Sequence, residues 1–246
     1  MAPRLSPTAL LAVIQPWADV AEPIHRRLTQ LAEAQSGQDV LWVGCGAGRS
    51  VLWWAERFGT HVEGADPDPA AIDAADKAAR ATGLQRLATF QVTDATNLPH
   101  EEQVFDVVVV NFMTLGGDGA KIMREAGRVA RPMATVMALV PTWLSSPEPE
   151  DAALLGATGV TPQLLVEWKN FFRQAGIVEL SVEEAAQDAG WLASGWVNLV
   201  ARGWLAARWK GVRAVLSPEF RALRSLALRR VLGLSIIKGT RWPHST

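Results

Sequence analysis

Residues 39–50 read DVLWVGCGAGRS, and this stretch decides how the chain is organised. Asp39–Val43 is apolar after its first residue, which predicts a buried strand. Gly44, Gly46 and Gly48 follow at alternate positions, and GRSVLWWAERFG (48–59) predicts a helix ended by a glycine. Glycine serves such a turn because a residue without Cβ lets the backbone bend sharply and touch a ligand, with helix N–H groups aimed at it. GxGxG alone is weak evidence. Dinucleotide-binding proteins use a GxGxxG spacing instead, and here position 49 is arginine.

Outward from this turn, strands and helices alternate. HVEGAD (61–66) predicts a second strand, and DPAAIDAADKAARATG (68–83) a second helix with Pro69 in its first turn. ATFQV (88–92) is a third strand. FDVVVVNF (105–112) is a fourth, its four valines predicting burial on both faces. GAKIMREAGRVAR (119–131) is a helix stopped by Pro132, and TVMALV (135–140) a fifth strand. TPQLLVEWKNFFRQAG (161–176) predicts a helix capped by Thr161 and ended by glycine. IVELSVE (177–183) alternates as a sixth strand, and LSIIKGTRW (234–242) supplies a seventh. Residues 8–35 read as helical with breaks at Pro16 and Pro23, Leu28, Leu31 and Ala32 forming a buried stripe; residues 141–160 read as loop. Alternation of this kind predicts an α/β fold with a doubly wound, mostly parallel seven-stranded sheet.

Composition bounds the function. The single cysteine, Cys45, excludes an internal disulfide framework, and the scattered histidines His25, His61, His100 and His244 give no metal-ligand spacing, so no metal is expected. The longest uncharged run, residues 132–147, has 16 residues with three prolines, short of the roughly 20 apolar residues of a membrane span. LLAVI is too short for the apolar core of a signal peptide, and a cytoplasmic location is expected. The net charge of −1 hides an asymmetry: residues 191–246 carry ten Lys or Arg against one acid, Glu219, and five of the 11 tryptophans.

Two acids sharpen the reading of the turn. Asp66 ends the second strand, where a carboxylate can accept two hydrogen bonds from a ribose diol. Asp94, in VTDATNLP (92–99), follows the third strand, at a place suited to an adenine amino group. Each also has a bland reading, Asp66 as a turn residue before Pro67 and Asp94 as an Asx-turn. The order of glycine turn, acid and acid, each at a strand's carboxyl end, places a ligand where open α/β sheets bind one.

On these residues the chain resembles the class I S-adenosylmethionine-dependent methyltransferases over about residues 37–183. VGCGAGRS resembles the family's first motif, GADPDPAAI its second, VTDATNLP its third and FDVVVVNF its fourth, with MREAGRVARPMA similar to the helix and turn before the fifth strand. The resemblance implies S-adenosylmethionine as cofactor. Gly44, Gly46 and Gly48 would border its methionine part, Asp66 its ribose, Asp94 and the Ala95 backbone its adenine, and Asn111 its sulfonium. Cys45 and Pro67 fall in the same cofactor-binding segments, Cys45 as a small buried residue. Two departures stand out. Trp42 occupies the place of a usual acid, and Pro132-Met133-Ala134 replaces Pro-Gly-Gly.

The resemblance implies in-line methyl transfer, for which the protein supplies positioning and exclusion of water. No catalytic residue is assigned; His25 and His100 are candidate bases by position only. VVNFMT lacks the Pro-Pro-Tyr/Phe signature of nucleic-acid amino methyltransferases, so a small, apolar acceptor is expected and nucleic acid is disfavoured as a partner. The expected segments are N-terminal helices (1–36), a cofactor-binding core (37–189), a basic, tryptophan-rich helical insertion (190–232), and a last strand and tail (233–246). The insertion reads as a packed lid or as a surface for anionic membrane or a protein complex. The alternative reading of the whole is a non-catalytic methyltransferase-like subunit docked through that region.

Overall fold

The computed structural model describes residues 22–156, 160–186 and 231–243. Helix α1 (Glu22–Ala32) leads into β1 (Asp39–Val43), α2 (Arg49–Phe58), β2 (His61–Asp66), α3 (Pro69–Thr82), β3 (Ala88–Val92) and β4 (Phe105–Asn111). Then come α4 (Gly119–Val129), β5 (Ala130–Trp143), α5 (Pro149–Gly156), β6 (Gln163–Leu164), α6 (Leu165–Gln174), β7 (Ile177–Ala186) and β8 (Leu232–Arg241). The expected breaks near Pro16 and most of the helical insertion lie outside the described residues.

One sheet runs in the order β3-β2-β1-β4-β5-β8-β7. Neighbours pair in parallel from β3 to β5, and β8 is antiparallel to both β5 and β7. The eighth strand, β6, is two residues that extend the pairing of Thr142 and Trp143. Both faces are covered. Leu41, Val43, Val108 and Val110 pack under α4 and α6, while Val40, Trp42, Val107 and Val109 pack under α1, α2 and α3. Val107–Val110 are at most 1 % exposed, which accounts for the unbroken valine run. Helix α1 lays Leu28 and Ala32 on this layer and is tied across the sheet by Arg27 to Glu183 and by Lys238 to Glu33.

Several boundaries differ from the sequence reading for local reasons. Pro23 lies in the first turn of α1, a position that accepts proline, and residues 1–21 before it lie outside the described ones. Helix α4 ends at Val129, not at Arg131. Ala130 is already extended and pairs with Phe105, and Arg131 precedes a proline, which disfavours helical backbone. Arg131 instead bridges Asp39 and Asp106 at the amino ends of β1 and β4. Pro132 therefore sits in a bulged start of β5, where Met133 adopts φ 67°, the conformation usually given to glycine. Helix α6 starts at Leu165 rather than after Thr161, because Gln163 and Leu164 are taken up by pairing with β5. Glu167 closes that start by accepting the Leu164 N–H at 2.9 Å. The stretch 141–160, read as loop, begins as strand and contains α5.

Candidate functional site

The sheet's carboxyl edge collects the glycine turn, Asp66, Asp94 and Asn111. Gly44, Gly46 and Gly48 have φ of 78°, 53° and 77°, a path open to glycine and costly for other residues. The turn is anchored from β2: Ala65 O accepts from Gly44 N (2.7 Å) and Cys45 N (3.2 Å). It is anchored from β4 as well, where Thr114 Oγ1 lies 2.9 Å from Gly44 O and 3.1 Å from Asn111 O. A Cβ on Gly44 would sit 2.7 Å from Thr114 Oγ1, and one on Gly48 2.6 Å from Phe90 Cε1. These two glycines are thus fixed by neighbours as much as by backbone angle.

Asp66 is the only buried carboxylate among the described residues, at 5 % exposure. Its Oδ2 accepts from Gly46 N at 2.8 Å and its Oδ1 from Asp68 N at 3.0 Å. Burial pushes this carboxyl above the ordinary aspartate value, and the two backbone bonds only partly oppose the shift. A carboxylate offers about four lone-pair sites, so each oxygen can accept one more donor. That is the capacity a vicinal diol fills.

Thr93 N donates to Asp66 O at 3.1 Å, which joins Asp66 to the loop after β3. In that loop Asp94 is exposed, and its Oδ1 accepts from both Thr96 N and Thr96 Oγ1 at 2.8 Å. These bonds hold the Asp94 carboxyl below its ordinary range. The Asx-turn reading of Asp94 is therefore correct for Oδ1, and Oδ2 is the oxygen turned away from those donors. Ala95 is buried, and Pro67 is exposed between Asp66 and Asp68, the cap of α3. Asn111 is 7 % exposed, with Oδ1 accepting from Met113 N at 3.1 Å. Cys45 is buried and its thiol is pushed far up by desolvation and by Asp66, which keeps it protonated and unreactive.

Two features of the sequence land elsewhere than expected. Trp42 lies in the apolar layer between sheet and α2, where its indole meets Trp54 edge-to-face at 5.7 Å. His100 is at the opposite edge of the sheet. It bonds Glu63 at 2.8 Å beside a cavity lined by Asp39, His61 and Phe105, at the amino ends of the strands. Candidate base His100 is thereby separated from Gly44–Gly48 by the length of the sheet. The sequence reading passed over Thr114, a polar side chain that joins the turn to β4 and gives no signal until the loop after β4 is seen to fold back on Gly44. Among the described residues, no group of acidic, histidine or cysteine side chains is arranged to hold a metal ion, and no helix is long and apolar enough to cross a membrane.

A doubly wound sheet with one reversed strand, and a glycine turn and buried acid at its carboxyl edge, define a nucleotide-cofactor-binding α/β protein. Residues 40–133 match the methyltransferase domain family, and this match supports the resemblance to the class I S-adenosylmethionine-dependent methyltransferases. The chain is 32 % identical over 120 residues to methyltransferase GfsG of Streptomyces halstedii, a match covering 48 % of this chain and 43 % of that protein. It is 34 % identical over 119 residues to the chloroplastic tocopherol O-methyltransferase of Arabidopsis thaliana, covering 47 % and 33 %. The matched stretch is thus less than half the length of either relative. Among solved structures it is similar to geranyl diphosphate C-methyltransferase of Streptomyces coelicolor A3(2), with a TM-score of 0.72 and 16 % identity over 89 % of this chain and 77 % of that one. At that identity the likeness speaks for the fold.

Proposed function

We propose that this chain binds S-adenosylmethionine through Asp66 and transfers its methyl group to a small, apolar acceptor. The observation that carries the reading is the buried Asp66 carboxylate, held by Gly46 N and Asp68 N with acceptor capacity left over. In this reading Asp66 takes the ribose hydroxyls. Gly44, Gly46 and Gly48 line the methionine end with Cys45 beneath them. Asp94 Oδ2 and the Ala95 backbone meet the adenine, next to Pro67 at the mouth, and Asn111 faces the reacting end. The cofactor supplies a sulfonium-activated methyl carbon. The chain's part is to align the acceptor on the far side of that carbon and keep water out.

Support for an apolar acceptor comes from the surface beside this edge. Leu144, which follows β5, Leu164, which pairs with Trp143 at its end, and Val166 are 44 %, 44 % and 57 % exposed. Tocopherol and geranyl diphosphate, named for two similar proteins, both carry long hydrocarbon parts. The test is calorimetric titration with S-adenosylmethionine, followed by a methyl-transfer screen over prenyl, aromatic and amine acceptors. Binding with product formation on apolar acceptors is expected. No binding at millimolar cofactor would overturn the reading, and binding without turnover on any acceptor would favour a non-catalytic subunit.

A further inference from the structure

We infer that Glu125 and Arg128 of α4 form a positioning pair that sets the adenine-reading loop, an inference that rests on the cofactor reading above. The loop from Thr93 to Val104 leaves β3 and has no strand beside it, so its backbone groups must find partners elsewhere. The side chains of Glu125 and Arg128 provide three of them. Glu125 Oε2 accepts from Leu98 N at 2.9 Å, while Arg128 Nη2 donates to Leu98 O at 2.9 Å and Arg128 Nη1 to His100 O at 2.7 Å. The two side chains are themselves paired, Nε to Oε1 at 2.9 Å and Nη2 to Oε2 at 2.7 Å. Leu98 is thus gripped at both its N–H and its C=O by side chains three residues apart on one helix face, as a neighbouring strand would grip it. Its own side chain is 4 % exposed in the core beneath α4, which fixes the same point from below.

Leu98 is four residues after Asp94, and the intervening chain is a closed turn. Asn97 N donates to Asp94 O at 3.0 Å, and Thr96 donates twice to Asp94 Oδ1. A turn locked internally moves as a body, so the point where it is held sets where Asp94 Oδ2 and Ala95 N–H lie. The pair is partly buried, with side chains 27 % and 16 % exposed for Arg128 and Glu125. Four of the five guanidinium N–H groups are used, in directions a lysine ammonium cannot reproduce.

The test compares S-adenosylhomocysteine with its hypoxanthine counterpart, in which a carbonyl replaces the adenine amino group and turns an attraction to Asp94 into a repulsion. Wild type, Arg128→Lys and Glu125→Gln are titrated with both, and amide exchange of residues 95–98 is followed in each without ligand. Both variants keep side-chain size and are expected to fold. Arg128→Lys should weaken S-adenosylhomocysteine about tenfold, lower the adenine-to-hypoxanthine preference about fivefold and speed exchange at Leu98 about tenfold, the scale of one or two charged hydrogen bonds. Glu125→Gln should move all three the same way by less. A preference unchanged within twofold in both variants would overturn the inference and leave the pair a structural staple, whatever the loss in affinity. Wild type that binds neither ligand would overturn the cofactor reading itself, and this inference with it. Wild type that binds both equally would refute adenine reading by this loop and overturn this inference, while leaving cofactor binding in place.

Discussion

Replacing Asp66 with asparagine should separate the site's effect on binding from its effect on folding. The amide keeps the volume but brings one NH₂ toward a backbone N–H, so either Gly46 N or Asp68 N loses its acceptor. An unsatisfied buried N–H costs about 1–3 kcal/mol. Against this, the substitution removes a carboxylate whose charged form is disfavoured by burial. The two effects oppose, and the unliganded protein should lose about 1 kcal/mol, or roughly 2–4 °C in Tm for a chain of this size. Cofactor affinity has no such compensation. Losing two charge-assisted hydrogen bonds to the ribose, at about 1.5 kcal/mol each, removes about 3 kcal/mol, a weakening of roughly 150-fold.

The pH dependence carries the same signature with opposite signs. Burial raises the folded-state pKa of Asp66 above 3.8, so the folded chain binds this proton more tightly than the unfolded chain. The group's stability contribution is therefore present at low pH and is lost as pH rises through the folded value. Ribose hydroxyls prefer the carboxylate, so affinity runs the other way and falls as pH drops through the same titration. Calorimetry and thermal melts on wild type and Asp66→Asn across pH 4–8 measure both, the difference between proteins isolating this group. An asparagine variant that binds S-adenosylhomocysteine within threefold of wild type would refute the assignment of Asp66 to the ribose.

Gly48→Ala should destabilise the fold by about 2–3 kcal/mol in urea denaturation, since it places Cβ 2.6 Å from Phe90 Cε1 at φ 77°; adding Phe90→Ala should return part of the loss if the clash is the cause. Met133→Gly should raise Tm by about 1–2 °C, because relief of a left-handed methionine outweighs the extra freedom of glycine in the unfolded chain, and an unchanged or lower Tm would refute the strain. Thr114→Val should cost about 1 kcal/mol of stability and weaken cofactor binding several-fold by freeing Gly44 O from the loop after β4; a change in stability alone would confine Thr114 to folding.

The sequence carries the strands and the cradle plainly because burial on both faces leaves a strong local imprint. Val107–Val110 admit no other reading, and Asp66 and Asp94 stand where strands end. What escaped it depends on partners distant in the chain. Glu125 and Arg128 are, in the sequence, only two opposite charges three apart on a helix, and the folded loop is what brings Leu98 and His100 to them. Arg131 looked like the last turn of that helix, until Asp39 and Asp106 came to lie on either side of it. Thr161 has the chemistry of a helix cap, but pairing of Gln163 and Leu164 with β5 outbids it. His100 follows the third motif directly, yet the loop turns back before reaching it and carries it to the far edge. Local pattern describes each segment well and says little about which way a loop is travelling.

The placement of β8 has a consequence for how the protein is made. Ribosomes deliver the chain from its amino end, and β2, β3, β4 and β5 each find one neighbouring strand already synthesised when they appear. β7 then arrives with no partner among the described strands, because its neighbour there is β8, about fifty residues later. Until Leu232–Arg241 leave the tunnel, β5 remains an open edge and Ile236 and Ile237, at most 1 % exposed in the finished sheet, are missing from both layers of the core. Nascent protein should therefore pass through a stage with two unpaired strand edges, the kind of surface chaperones hold. A stop codon near residue 231 would remove an interior strand and leave that stage permanent.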